Sequence, residues 1–544
     1  MRKVFYIILL VSCTLSCTNT LDVEPRDKYS NNVVWKNVNS LDLYINSLYG
    51  ALYQFAEVGG PNLSDGYSDI LKYSQTYMDT YHNRVCLSPA FLSPNTAEAL
   101  SPWSATYGNI KKLNEFIIDA HKYGGNISGD ELAMRLAEIR FLRAFIYSKL
   151  IIRHGGVVLR VDNEVLDGPE QKNKKRSTTA ECWQWVMTEL KAIAEQLPEQ
   201  WSNNNWGRIT KGAAYALLAR SALYAEKWDD AIVAGRKVES IANSGRYGLM
   251  DSFSDVFYTP HNKELILAAY YKRPDLTNDF DKYFAPTGDI ERYGGYASPT
   301  EELVVQYDIK TGNKWEPFSW ANPDHSANPY VNRDPRFYAT ILYNGAPWKG
   351  RNIETYVGGT DSYIEYFDGN ARNRTVTGYF IRKFLENKTK DFVAEKGDQY
   401  WIELRYAEVL TILSEAYGRG KGDFITAYRY LNMLRERPGV GLPGLVVKYK
   451  QEDYLQDLQK EKMCEFAFEG HRYWDLRRWK KAGTVLNGVR MHGVEITKTG
   501  DTYQYNIVDC DKADRFFPDR YYTVPIPDFE TKNNLECRQD PAWQ

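Results

Sequence analysis

EKMCEFAFEGHRYWDLRRW, residues 461–479, sets Glu461, Glu465 and Glu469 four residues apart. That interval puts three carboxylates on one stripe of a helix. Arg472, Asp475, Arg477 and Arg478 follow at once and describe a charge-paired helix end. Carboxylates stacked this way repel one another unless cations answer them, so the stretch is either a site or a buried ionic clamp. Phe466, Phe468 and Trp474 are interleaved with the charges, which turns the stripe toward other helices and favours the clamp. Arg140, Arg143 and Arg405, on other helical stretches, and Arg472 beside the stripe are the expected partners.

Outward from this stretch the apolar spacing stays helical. Leu132, Leu136, Ile139, Leu142, Ile146 and Leu150 recur at three and four residues, and Gly155-Gly156 stops the pattern. A second helix is expected from about 211 to 225. After a tight break at Glu226–Trp228, its partner carries Ala231, Ile232 and Val238. A helix-turn-helix of about 34 residues with small residues where the helices cross has tetratricopeptide character. A further pair is expected from Trp401 to Arg435, broken at Gly418–Gly422, with additional helices near 35–53, 103–121 and 181–197. Between about 257 and 399 the helical period fades and Gly, Pro, Asn and Asp crowd in, which implies loops and short strands carried on the scaffold. The expected fold class is therefore mostly α, a tetratricopeptide-type repeat scaffold with a loop-rich mixed α/β insertion.

At 544 residues and 43% hydrophobic content the chain can bury a large core. Lys and Arg total 68 against 70 acidic residues, a balance that leaves no electrostatic footprint for nucleic acid. Tyr (41) outnumbers Phe (22), and Trp adds 14, so the aromatics lean toward rings with an apolar face and a polar edge. The seven His form no metal-ligating pair, no nucleotide-binding or nucleophile-elbow motif occurs, and the cysteines show neither zinc nor disulfide spacing. GRGKG (418–422) lacks phosphate-loop spacing and joins two helices. No cofactor and no metal is expected. The acidic stripe is not a glycosidase pair, which needs carboxylates about 5–10 Å apart across an open cleft, because aromatic residues and arginines enclose it. No catalytic residue is expected.

The opening stretch resembles the signature of the SusD/RagB family, nutrient-binding lipoproteins of the Bacteroidetes outer membrane. AEIRFLRAFIYSKLIIRHGGVVL (137–159), GRITKGAAYALLARSALYAEKWDDAI (207–232), LRYAEVLTILSEAYGRG (404–420) and VPIPDFETKNNLECRQDPAW (524–543) resemble further family segments in the family's order. Asp540 and Ala542 depart from the family's tail, which carries Asn and Gly there. Asp334-Pro335-Arg336-Phe337 resembles a landmark of the insertion. The resemblance implies a leader over 1–16 and one SusD-like domain over 17–544. Its repeat scaffold occupies about 35–256 and 400–480, its ligand-facing insertion about 257–399, and its tail 481–544.

Arg2 and Lys3, the apolar run Val4–Val11 and the small residues after it describe a secretory leader, too short to span a bilayer. Leu10-Val11-Ser12 before Cys13 fits a lipoprotein cleavage pattern, whereas the family's spacing before Leu21-Asp22-Val23-Glu24-Pro25 favours Cys17 as the lipidated residue. Acyl chains contribute about 0.8 kcal/mol per buried methylene, enough for several to hold the protein on a membrane.

A sugar binder needs flat rings for C–H faces and planar polar groups for hydroxyls. Two regions supply both: 65–84, with Asp65, Tyr67, Asp69, Tyr73, Tyr77, Tyr81 and Arg84, and 282–320, with Tyr283, Arg292, Tyr293, Tyr296, Trp315 and Trp320. The resemblance implies a non-enzymatic protein on the cell surface of the outer membrane. It would capture an oligosaccharide or polysaccharide and pass it to a SusC-like TonB-dependent transporter. A peptide-binding RagB-like importer subunit and a lipid-anchored protein-interaction scaffold are the alternatives.

Overall fold

Asn37, Ser128, Thr178, Thr210 and Asp423 each accept a backbone N–H at a helix start, satisfying donors that the first turn leaves open. The computed structural model describes residues 31–74, 81–161, 172–202, 205–290, 293–365, 374–388, 391–392 and 395–544. Cys17 with the leader, Tyr77 and Arg292 lie outside them. In chain order the main helices are α1 (Val38–Leu48), α2 (Trp103–Tyr123), α3 (Gly129–His154), α4 (Thr179–Ala194), α5 (Lys211–Tyr224), α6 (Trp228–Asn243), α7 (Tyr406–Glu415), α8 (Phe424–Arg435), α9 (Gln451–Phe466) and α10 (Arg472–Arg478).

Each helix from α2 to α10 packs on the next, and α6 packs directly on α7 although residues 244–405 intervene. The stack is thus a helical solenoid from which the insertion emerges and to which the chain returns. Small residues set its spacing. In α5, Ala213, Ala214, Ala216, Ala219 and Ala222 are buried, and a Cβ on Gly235 of α6 would come within 2.8 Å of Leu413 on α7. Helix α3, buried on nearly all sides from Ala137 to Tyr147, runs through the middle of the stack. Trp103 is core, 1% exposed.

The insertion contributes only small sheets. Strand β1 (Leu71–Tyr73) precedes it, β2 (Leu265–Ala269), β3 (Ala297–Pro299), β4 (Ile309–Thr311) and β5 (Lys314–Glu316) lie within it, and β6 (Trp401–Arg405) closes it. β1 pairs antiparallel with β3, β4 with β5, and β6 with β2. Residues 401–405, expected as the start of a helix, are therefore a strand. Trp401, Ile402 and Leu404 are buried against Leu265–Ala269, and the helix begins only at Tyr406. In the tail, β7 (His492–Thr499) and β8 (Thr502–Asp509) form a hairpin closed at Gly500-Asp501. The alternation of apolar and polar residues on either side of that Gly-Asp turn was its sequence signal.

The acidic stripe is buried at the junction of insertion and scaffold. Glu465 accepts from Arg336 (3.1 Å), Arg405 (2.8 Å) and Arg437 (2.6 Å), and Glu461 from Arg336 (2.5 Å) and Arg435 (3.0 Å). Glu469 does not continue the helix as the spacing predicts. Helix α9 ends at Phe466, Phe468 and Gly470 take positive φ, and Glu469 reaches back from this turn to Arg405 (2.7 Å) and Lys383 (3.0 Å). Glu264 and Asp334, both before α7, add acids to the same group through Arg405 and Arg336. Segments far apart in sequence are thus held in one ionic cluster.

Arg140 and Arg143 are not among its cations. Helix α3 lies beside α2 and α4, so both arginines pair with Glu189 of α4, at 2.8 and 2.9 Å. Arg472 also turns elsewhere, gripping Asp69 with two hydrogen bonds of 2.9 and 2.8 Å. The free cysteines Cys86, Cys182, Cys464, Cys510 and Cys537 are all buried.

Candidate functional site: an aromatic row on the insertion and the tail hairpin

The β1–β3 pairing lays the two ring-rich regions side by side: Tyr73 faces Ala297, and Ser74 N donates to Tyr296 O at 3.0 Å. Most of the first region's side chains are nevertheless used internally. Tyr73 is fully buried, its ring stacked 3.8 Å from His82, its hydroxyl accepting from Leu63 N and donating to Pro61 O. Tyr67 stacks on the other side of His82 at 4.3 Å and lies on the wall of an open cleft of about 510 Å³ bounded also by Tyr53, Tyr271 and Trp474. Asp69 is held by Arg472. These placements correct the reading of Asp65, Asp69 and Tyr73 as ligand-facing groups, because burial leaves a glycan no access to them. Tyr81, 43% exposed, and Arg84, whose guanidinium lies 4.2 Å over Phe91, remain at the surface.

Asp65 carries a consequence of its own. Burial, with the Glu57 carboxylate beside it, pushes its pKa from 3.8 up to about 8. A group raised on folding adds stability in acid that is lost as pH climbs through the folded value, here from about 4 to about 8. Asp65→Asn should flatten that part of a plot of Tm against pH. A slope identical to the parent's would show that Asp65 titrates alike in both states.

The second region presents its rings. Tyr283 and Tyr293 are half-buried at the start of β3, with Tyr296 (6% exposed) 4.8 Å from Tyr283 and the Lys282 ammonium 4.3 Å over Tyr293. Trp315 is half-buried on the β4–β5 hairpin, which sets it apart from the others. Trp320 lies at the far end of β3, where its Nε1 donates to Glu301 at 2.8 Å. Five extended residues span at most about 18 Å, so the Tyr283/Tyr296 pair and the anchor of Trp320 lie within the length of a short oligosaccharide.

The tail hairpin extends the surface. Tyr505 of β8 packs on Trp320 at 5.6 Å, and Tyr503, two residues earlier and so on the same face, packs on Tyr356 at 6.0 Å. Trp320, Tyr505, Tyr503 and Tyr356 thereby form a row of partly exposed rings, with Lys498 4.9 Å over Tyr356. Sequence reasoning missed the last three, although the Tyr503-Gln504-Tyr505 alternation after Gly500-Asp501 marks a strand with two tyrosines on one face. The row is held from below. Buried Glu301 accepts from Trp320 and from Tyr379 at 2.6 Å, and burial lifts its pKa to about 7. His492 at the hairpin base donates to Glu302 at 2.6 Å, a bond that raises the imidazole above its usual value.

Nothing in the row resembles an acid–base pair. The small space near Trp474, about 50 Å³, is lined by Lys149, Arg220, Glu403 and Glu408, which pair with one another. Among the described residues no cluster of His, Cys, Asp and Glu forms a metal site, and no helix is long and apolar enough to cross a membrane.

Residues 263–543 match the SusD family profile, and residues 19–223 match a profile described as starch-binding associating with outer membrane. SusD-like protein P2 of Formosa agariphila is 25% identical over 396 residues, covering 71% of this chain and 72% of the relative. A SusD-like protein from Bacteroides fragilis superposes with a TM-score of 0.78 at 26% identity, covering 94% of this chain and 98% of its own. A SusD-like carbohydrate binding protein from the same organism superposes at 0.76 with 24% identity, covering 93% and 100%. With the solenoid, the insertion and the tail all accounted for, this chain belongs to the SusD family, a family of carbohydrate-binding proteins and not of enzymes.

Proposed function

We propose that this protein is a cell-surface lipoprotein that captures an oligosaccharide or polysaccharide on the row Trp320–Tyr505–Tyr503–Tyr356 and delivers it to a SusC-like TonB-dependent transporter. The row is the observation that carries the reading. Four rings on fixed supports match the apolar faces of successive sugars, while the tyrosine hydroxyls and Lys498 remain for the sugar hydroxyls. Tyr283 and Tyr293 offer further platforms across β3, and Tyr77 and Arg292 belong to the same two regions. The leader and Cys17 support anchorage on the outer membrane, and family membership supports the barrel partner.

Each stacking ring contributes about 0.5–1.5 kcal/mol, so Trp320→Ala with Tyr503→Ala should weaken binding at least about fivefold. Electrophoresis through gels containing individual polysaccharides checks this. The parent should be retarded by the recognised glycan and the double variant should run freely. Equal retardation of both would remove the row as the site.

A further inference from the structure

A second concave surface lies away from the row in the chain, between the α4–α5 connection and β2. It is a hollow of about 290 Å³. Trp206, 49% exposed, forms one wall, with Tyr270 edge-on to it at 4.9 Å. Trp201 lies deeper, pinned by its Nε1 donating to Ile209 O at 2.8 Å. His261, which burial holds below its usual pKa and therefore neutral at pH 7, completes the aromatic lining at a positive φ of 61°.

The hollow also contains a cation that forms no ion pair among the described residues. Arg208 on its floor is taken up by Glu138 and Asp42. Arg246 is different: its guanidinium lies 4.9 Å over the Tyr247 ring, its buried Nε has no hydrogen-bond partner, and among the described residues no carboxylate is within ion-pairing reach. A half-buried guanidinium without an ion pair thus stands beside an exposed indole in one hollow. A guanidinium whose Nε is buried without an acceptor gains charge-assisted hydrogen bonds when a ligand brings an oxyanion.

We propose that this hollow is a second saccharide site, selective for an anionic sugar whose ring stacks on Trp206 while its carboxylate or sulfate accepts the fork of Arg246. Guanidinium suits either planar or tetrahedral oxyanions through paired N–H donors, where an ammonium would supply only a point charge. The ligand class rests on the glycan-binding reading above, but the residues are separate from the row.

Isothermal titration of the full chain with tetragalacturonate, a sulfated oligosaccharide and a neutral oligosaccharide of equal length tests this. One or both anionic ligands should bind, with affinity falling as salt rises. Arg246→Met and Trp206→Ala should each lower that affinity at least about tenfold, and Arg246→Lys should fall between. Whichever anionic ligand responds identifies the oxyanion. An excess of a neutral glycan that occupies the row should not displace it. Absence of binding by either anionic ligand, or binding unchanged in both Arg246→Met and Trp206→Ala, would overturn the proposal. Loss of neutral-glycan binding with the anionic arm intact would instead count against the row alone.

Discussion

Glu465→Ala should be among the most destabilising single substitutions in this protein, lowering the denaturation midpoint by an amount equivalent to roughly 3–5 kcal/mol. The carboxylate is completely buried and accepts from Arg336, Arg405 and Arg437 at once. Burial alone would raise its pKa, but Arg437, Arg405 and Arg336 outweigh that and hold it far below the usual carboxylate range. Removing it leaves the three guanidiniums only Asp334, Glu461, Glu264 and Glu469 as carboxylate partners among the described residues, and the buried positive charge left uncompensated, more than the lost attraction, supplies the penalty. Arg336 comes from the insertion, Arg405 from the strand entering α7 and Arg437 from the end of α8, so the substitution loosens the point where insertion and scaffold are joined. Urea denaturation of the parent and variant measures the effect. An unchanged midpoint would show that the cluster does not hold the junction.

Glu415→Gln should cost about 3 kcal/mol at pH 7, and the difference should vanish in acid. Glu415 at the end of α7 accepts two hydrogen bonds from Arg478 at 2.6 Å each, one from Arg419 at 2.8 Å and one from the Trp479 indole at 2.7 Å. Burial pushes the carboxyl up, but Arg478 and the other cations pull it down from 4.5 to about 2. A carboxyl depressed on folding contributes stability that is full above its unfolded value of 4.5 and is lost as pH falls through about 2. The parent should therefore lose stability across that window while the Gln variant loses less, and the two curves should converge near pH 2. Parallel curves would mean that Glu415 is not ion-paired in solution. The bond also ties α7 to α10.

The helices were legible because their apolar residues repeat at three and four, and because breaks such as Gly155-Gly156 stand at their ends. The acidic stripe was legible as a clamp for the same reason: aromatic residues interleaved with charges leave no solvent-facing side. Its partners were not. Arg336 meets Glu461 across 125 positions, and nothing local to Asp334-Pro335-Arg336-Phe337 points to that contact. Arg140 and Arg143 suggested themselves because they too lie on a buried helix, but the order of stacking decides which charges meet. Glu469 left the helix because Ala467 turns to an extended backbone (ψ 130°) and Phe468 to a left-handed one, which spacing alone does not reveal.

The ring surface was half legible. Composition marks Tyr- and Asp-rich segments but does not separate a ring packed on His82 from a ring open to solvent, so Tyr73 and Trp320 looked alike. Trp320 is oriented by Glu301 and by Tyr505, and Tyr505 reaches it only because the tail hairpin folds back over the insertion. A tail read mainly for its family-like ending hid the strand that completes the row.

Hydrogen exchange of the purified protein, with and without the glycan that retards it in gels, addresses the capture surface most directly. Binding on the row predicts ligand-dependent protection in the peptides spanning 283–296, 315–320, 356 and 503–505, with the solenoid helices unchanged. Protection confined to the solenoid, with those peptides unaltered, would contradict it.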